Sequence, residues 1–310
     1  MRITDNMTAN NSIYNLQKAQ TTLNKLTGLA TSQQNINQPS DDPAATNTLM
    51  NINDSLNAIT QYSTNITNAT TSLNVANNAL TGISATIAQA QTLAASIANG
   101  ANDAQTQLSA LNQLNELKQQ IVDYGNTQSG NTYVFGGGSS TPPFSSASNA
   151  YNGNDTQSKV EVTKNTYQNV NITGDSLLTG TGPNTSYGTT NILQTIDNLI
   201  TAVGVAPTAT NPNGIPSNPA NIQQAATALA AGAAQVQNAT ADVAARLSRL
   251  TAMTTMNTNN QNTLENTVSN IQNVDLATVG TELSQEQTAY QAALAATAQI
   301  SKMSLLNYLN

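Results

Sequence analysis

LATVGTELSQEQTAYQAALAATAQISKMSLLNYLN, residues 276–310, is the stretch around which the remainder of the chain makes sense. Val279, Leu283, Glu286, Tyr290, Ala293, Thr297 and Ile300 recur at spacings of four and three, which sets them along one side of a helix. The seam is thin, built of Val, Leu, Tyr, Ile and alanines, with Leu294 beside it. The last turns are densely apolar: Met303, Leu305, Leu306, Tyr308 and Leu309. Chain ends usually fray in water, so a helix closing on such a run calls for a partner, in this chain or on another molecule.

Immediately upstream lies a second, longer pattern. Ile222, Leu229, Val236, Val243, Leu250, Asn257, Leu264 and Ile271 stand seven apart, with Ala226, Ala233, Leu247 and Val268 between them. A sustained seven-residue period predicts a long helix in a left-handed supercoil, and Asn257 is a polar break of the kind that sets register when buried. Residues 273–276 interrupt the pattern before the terminal helix.

The N-terminal half mirrors this arrangement. Ile13, Leu16, Ala19, Leu23, Leu26 and Ala30 form another thin helical seam. Pro39-Ser40-Asp41-Asp42-Pro43 follows, where Asp42 fits the N-cap and Pro43 the first turn of a new helix. That helix carries Ile52, Leu56, Ile59, Tyr62, Ile66, Ala69, Leu73, Ala76, Leu80, Ile83, Ile87, Ala90, Ala94 and Ile97, and ends at residues 99–102. A shorter helix with Leu108, Leu111, Leu114, Leu117 and Ile121 on its seam ends near Gly125.

Between the two helical arms the composition changes. Tyr133-Val134-Phe135 runs into Gly136-Gly137-Gly138. The segments Val160-Glu161-Val162 and Val170-Asn171-Ile172-Thr173 alternate with period two, as strands do, and Asn152-Gly153 marks a turn. Residues 131–187 read as a β-rich insert, 192–203 as a short helix and 205–219, with four prolines, as a loop. The predicted fold is mainly α: a long antiparallel coiled-coil or helical-bundle rod formed by the N- and C-terminal arms, with a small β-rich domain inserted mid-chain. The predicted division is terminal assembly helices at 1–38 and 276–310, a rod at 39–130 and 191–275, and an outer domain at 131–190. The assembly surface is expected at Ile13, Leu16, Leu23, Leu26, Leu283, Tyr290, Leu294, Ile300, Leu305, Leu306 and Leu309.

Composition narrows the chemistry. The chain has 9 basic and 16 acidic residues among 310, no histidine and no cysteine. Without histidine or cysteine there is no Ser-His or Cys-His nucleophile, no disulfide and no imidazole or thiolate metal ligand. The net charge of -7 and the lack of any Lys/Arg cluster disfavour nucleic acid. No 18-residue apolar run suggests a membrane helix, and the first residues lack the apolar core of a secretory leader. Uncharged Asn, Gln, Ser and Thr supply the surface polarity, whose character then holds steady as carboxylates protonate in acid.

The remaining candidate sites have plain explanations. Asp41-Asp42 resembles half of a hard-cation site or an acid–base pair, but no third carboxylate is near in sequence and helix capping accounts for it. Gly136-Gly137-Gly138 lacks the Lys-Ser/Thr and the following helix of a phosphate loop, and reads as a turn. The Asn-x-Thr triplets at Asn65 and Asn68 are chance matches in an Asn/Thr-rich chain. An enzyme would have to use carboxylates alone, as glycosidases do, and no acid pair stands out. No catalytic residue, metal or cofactor is expected.

Several of these segments carry a resemblance. NQPSDDPAA (37–45), Gln61-Tyr62-Ser63-Thr64-Asn65-Ile66, NTYVFGGGSSTPPF (131–144) and Tyr151-Asn152-Gly153-Asn154-Asp155 resemble motifs of the bacterial flagellin superfamily. So do Asp275-Leu276-Ala277, Glu282-Leu283-Ser284-Gln285 and Ser304-Leu305-Leu306-Asn307-Tyr308-Leu309. Within that superfamily the likeness is to the hook–filament junction proteins of the hook-associated protein 3 type. Asn154, between Gly153 and Asp155, and Asn307, at a place often acidic, depart from the pattern.

The resemblance implies a structural component of the bacterial flagellum, a junction or adaptor between hook and filament. It would be extracellular, exported unfolded by the flagellar type III apparatus with no cleaved signal peptide. Its terminal segments would be disordered alone and ordered on assembly. Implied partners are further copies in a ring, the first hook-associated protein, flagellin and an export chaperone, with no nucleic acid and no membrane insertion. A flagellin filament subunit is the near alternative, and a surface-binding adhesive coiled-coil protein the alternative from another class.

Overall fold

A computed structural model describes the backbone of residues 5–99, 103–182, 186–204 and 217–309. Among the described residues six α-helices dominate: α1 (Asp5–Ser32), α2 (Pro43–Ala98), α3 (Ala104–Gly125), α4 (Ile192–Val203), α5 (Pro219–Gln272) and α6 (Leu276–Leu309). Two short antiparallel hairpins lie between α3 and α4, β1–β2 (Gln128–Ser129, Thr132–Tyr133) and β3–β4 (Lys159–Thr163, Thr166–Asn169). A π-helical turn follows at Asp175–Thr179. The mainly helical architecture is as expected. The 56 residues of α2 extend roughly 80 Å at 1.5 Å per residue.

The chain divides into two compact units, residues 1–58 with 259–310, and residues 59–258. The larger unit holds the main core. Along α2, Ile66, Ala69, Leu73, Ala76, Leu80, Ile83, Ile87, Ala90, Ala94 and Ile97 are all buried, and on α5 Ile222, Leu229, Val236, Val243 and Leu250. The predicted seams are therefore the buried faces. Two details differ. The positions that sink with the α5 heptad are Ala225, Gly232 and Ala239, one residue before Ala226, Ala233 and the next step. These small residues let neighbours approach closely; a Cβ on Gly232 would come within 2.9 Å of Ile192 Cγ1. On α3 the buried side is Gln107, Ala110, Leu114, Leu117, Lys118, Ile121 and Val122, and Leu108 is exposed.

The insert does not form a core of its own. Val134, Phe135, Phe144, Val162, Ile172, Leu177, Leu178 and Tyr187 belong to the same buried cluster as α2–α5. Residues 131–190 lie in the same compact unit as these helices. The second strand of the larger hairpin is also displaced. It is Thr166–Asn169, joined to β3 through Lys164-Asn165; the Val170 N–H still donates to Ser158 O at 3.0 Å, beyond the last paired residues. Asn165 at φ 59 supplies the left-handed residue of that tight turn. Residues 100–102 and 205–216, read as a helix end and most of a loop, lie outside the described residues.

Candidate assembly interface

The smaller unit is built from α1, α6, the start of α2 and the end of α5. Its helices pack side by side, with α1 along α6. The less exposed face of α6 carries Val279, Leu283, Glu286, Tyr290, Ala293 and Thr297, the predicted seam. On α1 that face carries Leu16, Ala19, Leu23, Leu26 and Ala30, while Ile13 is 49% exposed.

Very little of this surface is sealed. Among the described residues of the smaller unit, Leu26, Leu49, Ile52 and Val279 are the buried apolar side chains. Met7, Ile13, Tyr14, Met50, Leu276 and Leu294 stand exposed. Of the expected assembly residues, then, Leu26 is buried, Leu16, Leu23, Leu283 and Tyr290 are half-buried, and Ile13 and Leu294 are exposed. The side chains of Ile300, Leu305, Leu306 and Leu309 lie outside those described. A unit of long helices that covers so few of its described apolar residues has much to gain from further burial, at about 25 cal/mol per Å².

Two turns connect this unit's helices, and they are tied to each other. Gln34 and Asn273 form an isolated antiparallel bridge. The Asn35 N–H donates to Gln272 O at 2.7 Å, the Asn35 amide to Asn273 O at 3.0 Å and the Val274 N–H to Gln33 O at 3.3 Å. Gln33, at φ 58, terminates α1 and swings the chain into the bridge. Nothing in the periodicity announces this contact, because amides exposed on a turn carry no spacing signal.

An aspartate starts the outgoing helix on each side. Asp42 Oδ1 accepts the N–H groups of Ala44 and Ala45 at 3.0 and 2.9 Å, while Pro43 opens α2. Asp41 turns the other way and accepts from the N–H groups of Asn37 and Gln38 at 3.0 and 2.9 Å. The adjacent carboxylates are therefore occupied by backbone donors on opposite sides of the turn. Asp275 does for α6 what Asp42 does for α2: Oδ1 accepts from Ala277 N–H at 2.9 Å and Oδ2 from the Thr278 hydroxyl at 3.0 Å. The Thr278 hydroxyl, with the two backbone donors, holds the Asp275 carboxyl below the usual carboxylate range. The sequence signal for this cap is an Asp directly before the first helical residue.

Among the described residues no three His, Cys, Asp or Glu side chains gather to hold a metal ion. No described helix is long and apolar enough to cross a membrane. Gly137, at φ 65, lies against Asn154, Gly138 follows at φ 93, and the Gly136 N–H is bonded to Tyr133 O at 3.0 Å, as in a turn.

Residues 3–138 match the family model of the bacterial flagellin N-terminal helical region, and residues 220–309 that of the C-terminal helical region. No curated protein matches the chain. The structure is similar to that of a protein described as a flagellar hook-associated protein from Vibrio parahaemolyticus, at 23% identity and TM-score 0.63, covering 75% of this chain and 100% of that one. It is also similar to flagellar hook-associated protein-3 from Legionella pneumophila, at 16% identity and TM-score 0.59, covering 71% and 98%. FlgL from Bacillus cereus aligns at 16% identity and TM-score 0.56, covering 69% and 97%. At these identities the likeness is one of fold.

Proposed function

The chain belongs to the bacterial flagellin family, matched at both its helical arms, and from that premise we propose that it is the structural junction between flagellar hook and filament. The observation that carries this reading is that, among the described residues of the smaller unit, four apolar side chains are buried while Ile13, Tyr14, Leu276 and Leu294 stand exposed. Such a unit reaches full packing only among neighbours. Residues 1–38 and 276–310 are the assembly segments in this reading, and they complete their order in the ring. The neighbours are further copies of the chain, the first hook-associated protein on the hook side and flagellin on the filament side. An export chaperone covers the same surfaces before assembly, and the protein reaches the flagellum through the flagellar export channel. It performs no catalysis: its work is adhesion between polymers of different lattice.

The test is genetic and structural together. Cells lacking this gene, supplied with the chain truncated before Ser304, are expected to build hooks and shed flagellin as monomer. Normal filaments on that background would refute the role of the terminal segment. Purified full-length chain growing unaided into long filaments would assign it to the filament itself.

A further inference from the structure

Strand β3 is irregular in a way that the ladder does not explain. Glu161 pairs with Tyr167 and Thr163 with Thr166, so Val162 is an extra residue, a bulge. A bulge frees backbone groups from the ladder, and a buried carbonyl freed in this way needs another donor. Two arrive from opposite ends of the sequence. Asn257 of α5 donates its Nδ2 to Val162 O at 2.9 Å, and Asn65 of α2 donates its Nδ2 to the neighbouring Glu161 O at 2.9 Å. Gln61, one turn earlier on α2, donates its side-chain amide to Asn65 Oδ1 at 3.2 Å and so fixes which way that amide points. Asn257 is 1% exposed and sits on the heptad seam, and its Oδ1 is buried with no partner. An apolar residue would pack there at less cost, so the position keeps Asn for the single bond it donates.

We propose that Asn65 and Asn257 act as one clamp: through consecutive carbonyls of the bulged strand they fix the register of α2 against α5 close to where both helices leave the larger unit. The polar heptad residue then reads a strand backbone rather than a facing helix. Gln61 and Asn65 are positioning residues for the same purpose. One residue of slip along either helix would move its amide 1.5 Å from its carbonyl and break the bond.

The chain has no cysteine, so a pair can be added without background. Ser63→Cys and Thr258→Cys, both at exposed positions in the larger unit, take nitroxide labels, and the distance between them is measured by pulsed electron resonance on the full-length protein. One narrow distance is expected in the parent, and a broadened or two-peaked distribution in Asn65→Leu/Asn257→Leu. Asn65→Ala, at a half-buried site, keeps the test alive if the double variant fails to fold. It is expected to speed amide exchange of residues 159–169 about fivefold, the worth of one hydrogen bond, while α4 keeps its protection. An unchanged distance distribution in the double variant, or equal acceleration in α4 for Asn65→Ala, would overturn the clamp. Neither readout depends on assembly, so the junction reading stands or falls separately.

Discussion

Replacing Ile13 and Leu294 by alanine separates what an apolar side chain does in the isolated chain from what it does in the polymer. The two residues are 49% and 45% exposed, so each loses few contacts when truncated in the monomer. Substitutions at such sites usually change stability by no more than about 0.5 kcal/mol. If neighbouring subunits cover the remaining half of each side chain, that burial contributes roughly half of the 1.5–3 kcal/mol of a fully buried aliphatic residue. Each truncation then costs about 0.7–1.5 kcal/mol of association, and the pair about 1.5–3 kcal/mol if they act independently. At 1.4 kcal/mol per decade, assembly weakens roughly 10–100-fold. Leu229→Ala is the contrasting control: it is fully buried on α5, and its truncation should cost the monomer about 2–5 kcal/mol. Circular dichroism melts of dilute protein read the first quantity, and the amount incorporated onto hooks against subunit supply reads the second. Should Ile13→Ala/Leu294→Ala lower the melting temperature as far as Leu229→Ala does, these residues belong to the chain's own core. Undiminished incorporation would take them out of the interface.

Three further outcomes are expected. Gly137→Ala should destabilise the larger unit by about 1–3 kcal/mol in denaturant unfolding, because Gly137 has φ 65 and its added Cβ would collide with the Asn154 carbonyl. Asp103 and Asp275, each bonded at a helix start, are held below the usual carboxylate range, chiefly by Thr106 and Thr278; a depressed folded-state pKa stabilises above the unfolded value near about 3.9 and is lost as pH falls through the folded one. Helicity of α3 and α6, followed by site-resolved exchange, should therefore slacken only under strong acid, and Asp275→Asn should remove that dependence for α6. Asp155 goes the other way: the Asp175 carboxyl bonded to it raises its pKa, so its contribution is complete in acid and fades as pH rises through the raised value. Asp155→Asn should raise the melting temperature at pH 7 and leave it unchanged at pH 3; equal shifts at both values would contradict the pairing.

The helices were legible because each repeats one simple decision, apolar or polar, many times at a fixed spacing. The α2 seam from Ile66 to Ile97 and the α5 heptad from Ile222 to Leu250 are buried as the periodicity indicates. The choice between Ala225 and Ala226 as the companion set was not legible, since both are alanine and only the facing side chains decide which sinks. Leu108 was misplaced for a related reason: at the start of α3 the buried side is taken by Gln107 and Ala110, and propensity alone cannot see that a leucine has nothing opposite it. At the assembly surface, the thin seams of α1 and α6 were readable as faces. The bridge between Gln34 and Asn273 was not, because it joins exposed backbone groups 239 positions apart.

The insert is held largely from outside itself, which the composition of residues 131–190 does not reveal. With only nine residues in β3 and β4, most of its carbonyls have no strand partner. Side chains of α5 supply missing donors along its length. Gln235 donates to Leu177 O and Thr190 O and accepts the Thr190 N–H. Asn238 donates to Tyr187 O, Arg246 to Asn171 O and Asn257 to Val162 O. Buried backbone groups left unpaired cost about 1–3 kcal/mol each, so this ladder decides whether the irregular segment can lie on the helix at all. It also explains why Gln235, fully buried in the middle of an apolar heptad, is tolerated: all its amide atoms are bonded. A pattern reading scores such residues as interruptions of a seam. In this chain they are the seam's second function: they bond the helix to the insert's backbone.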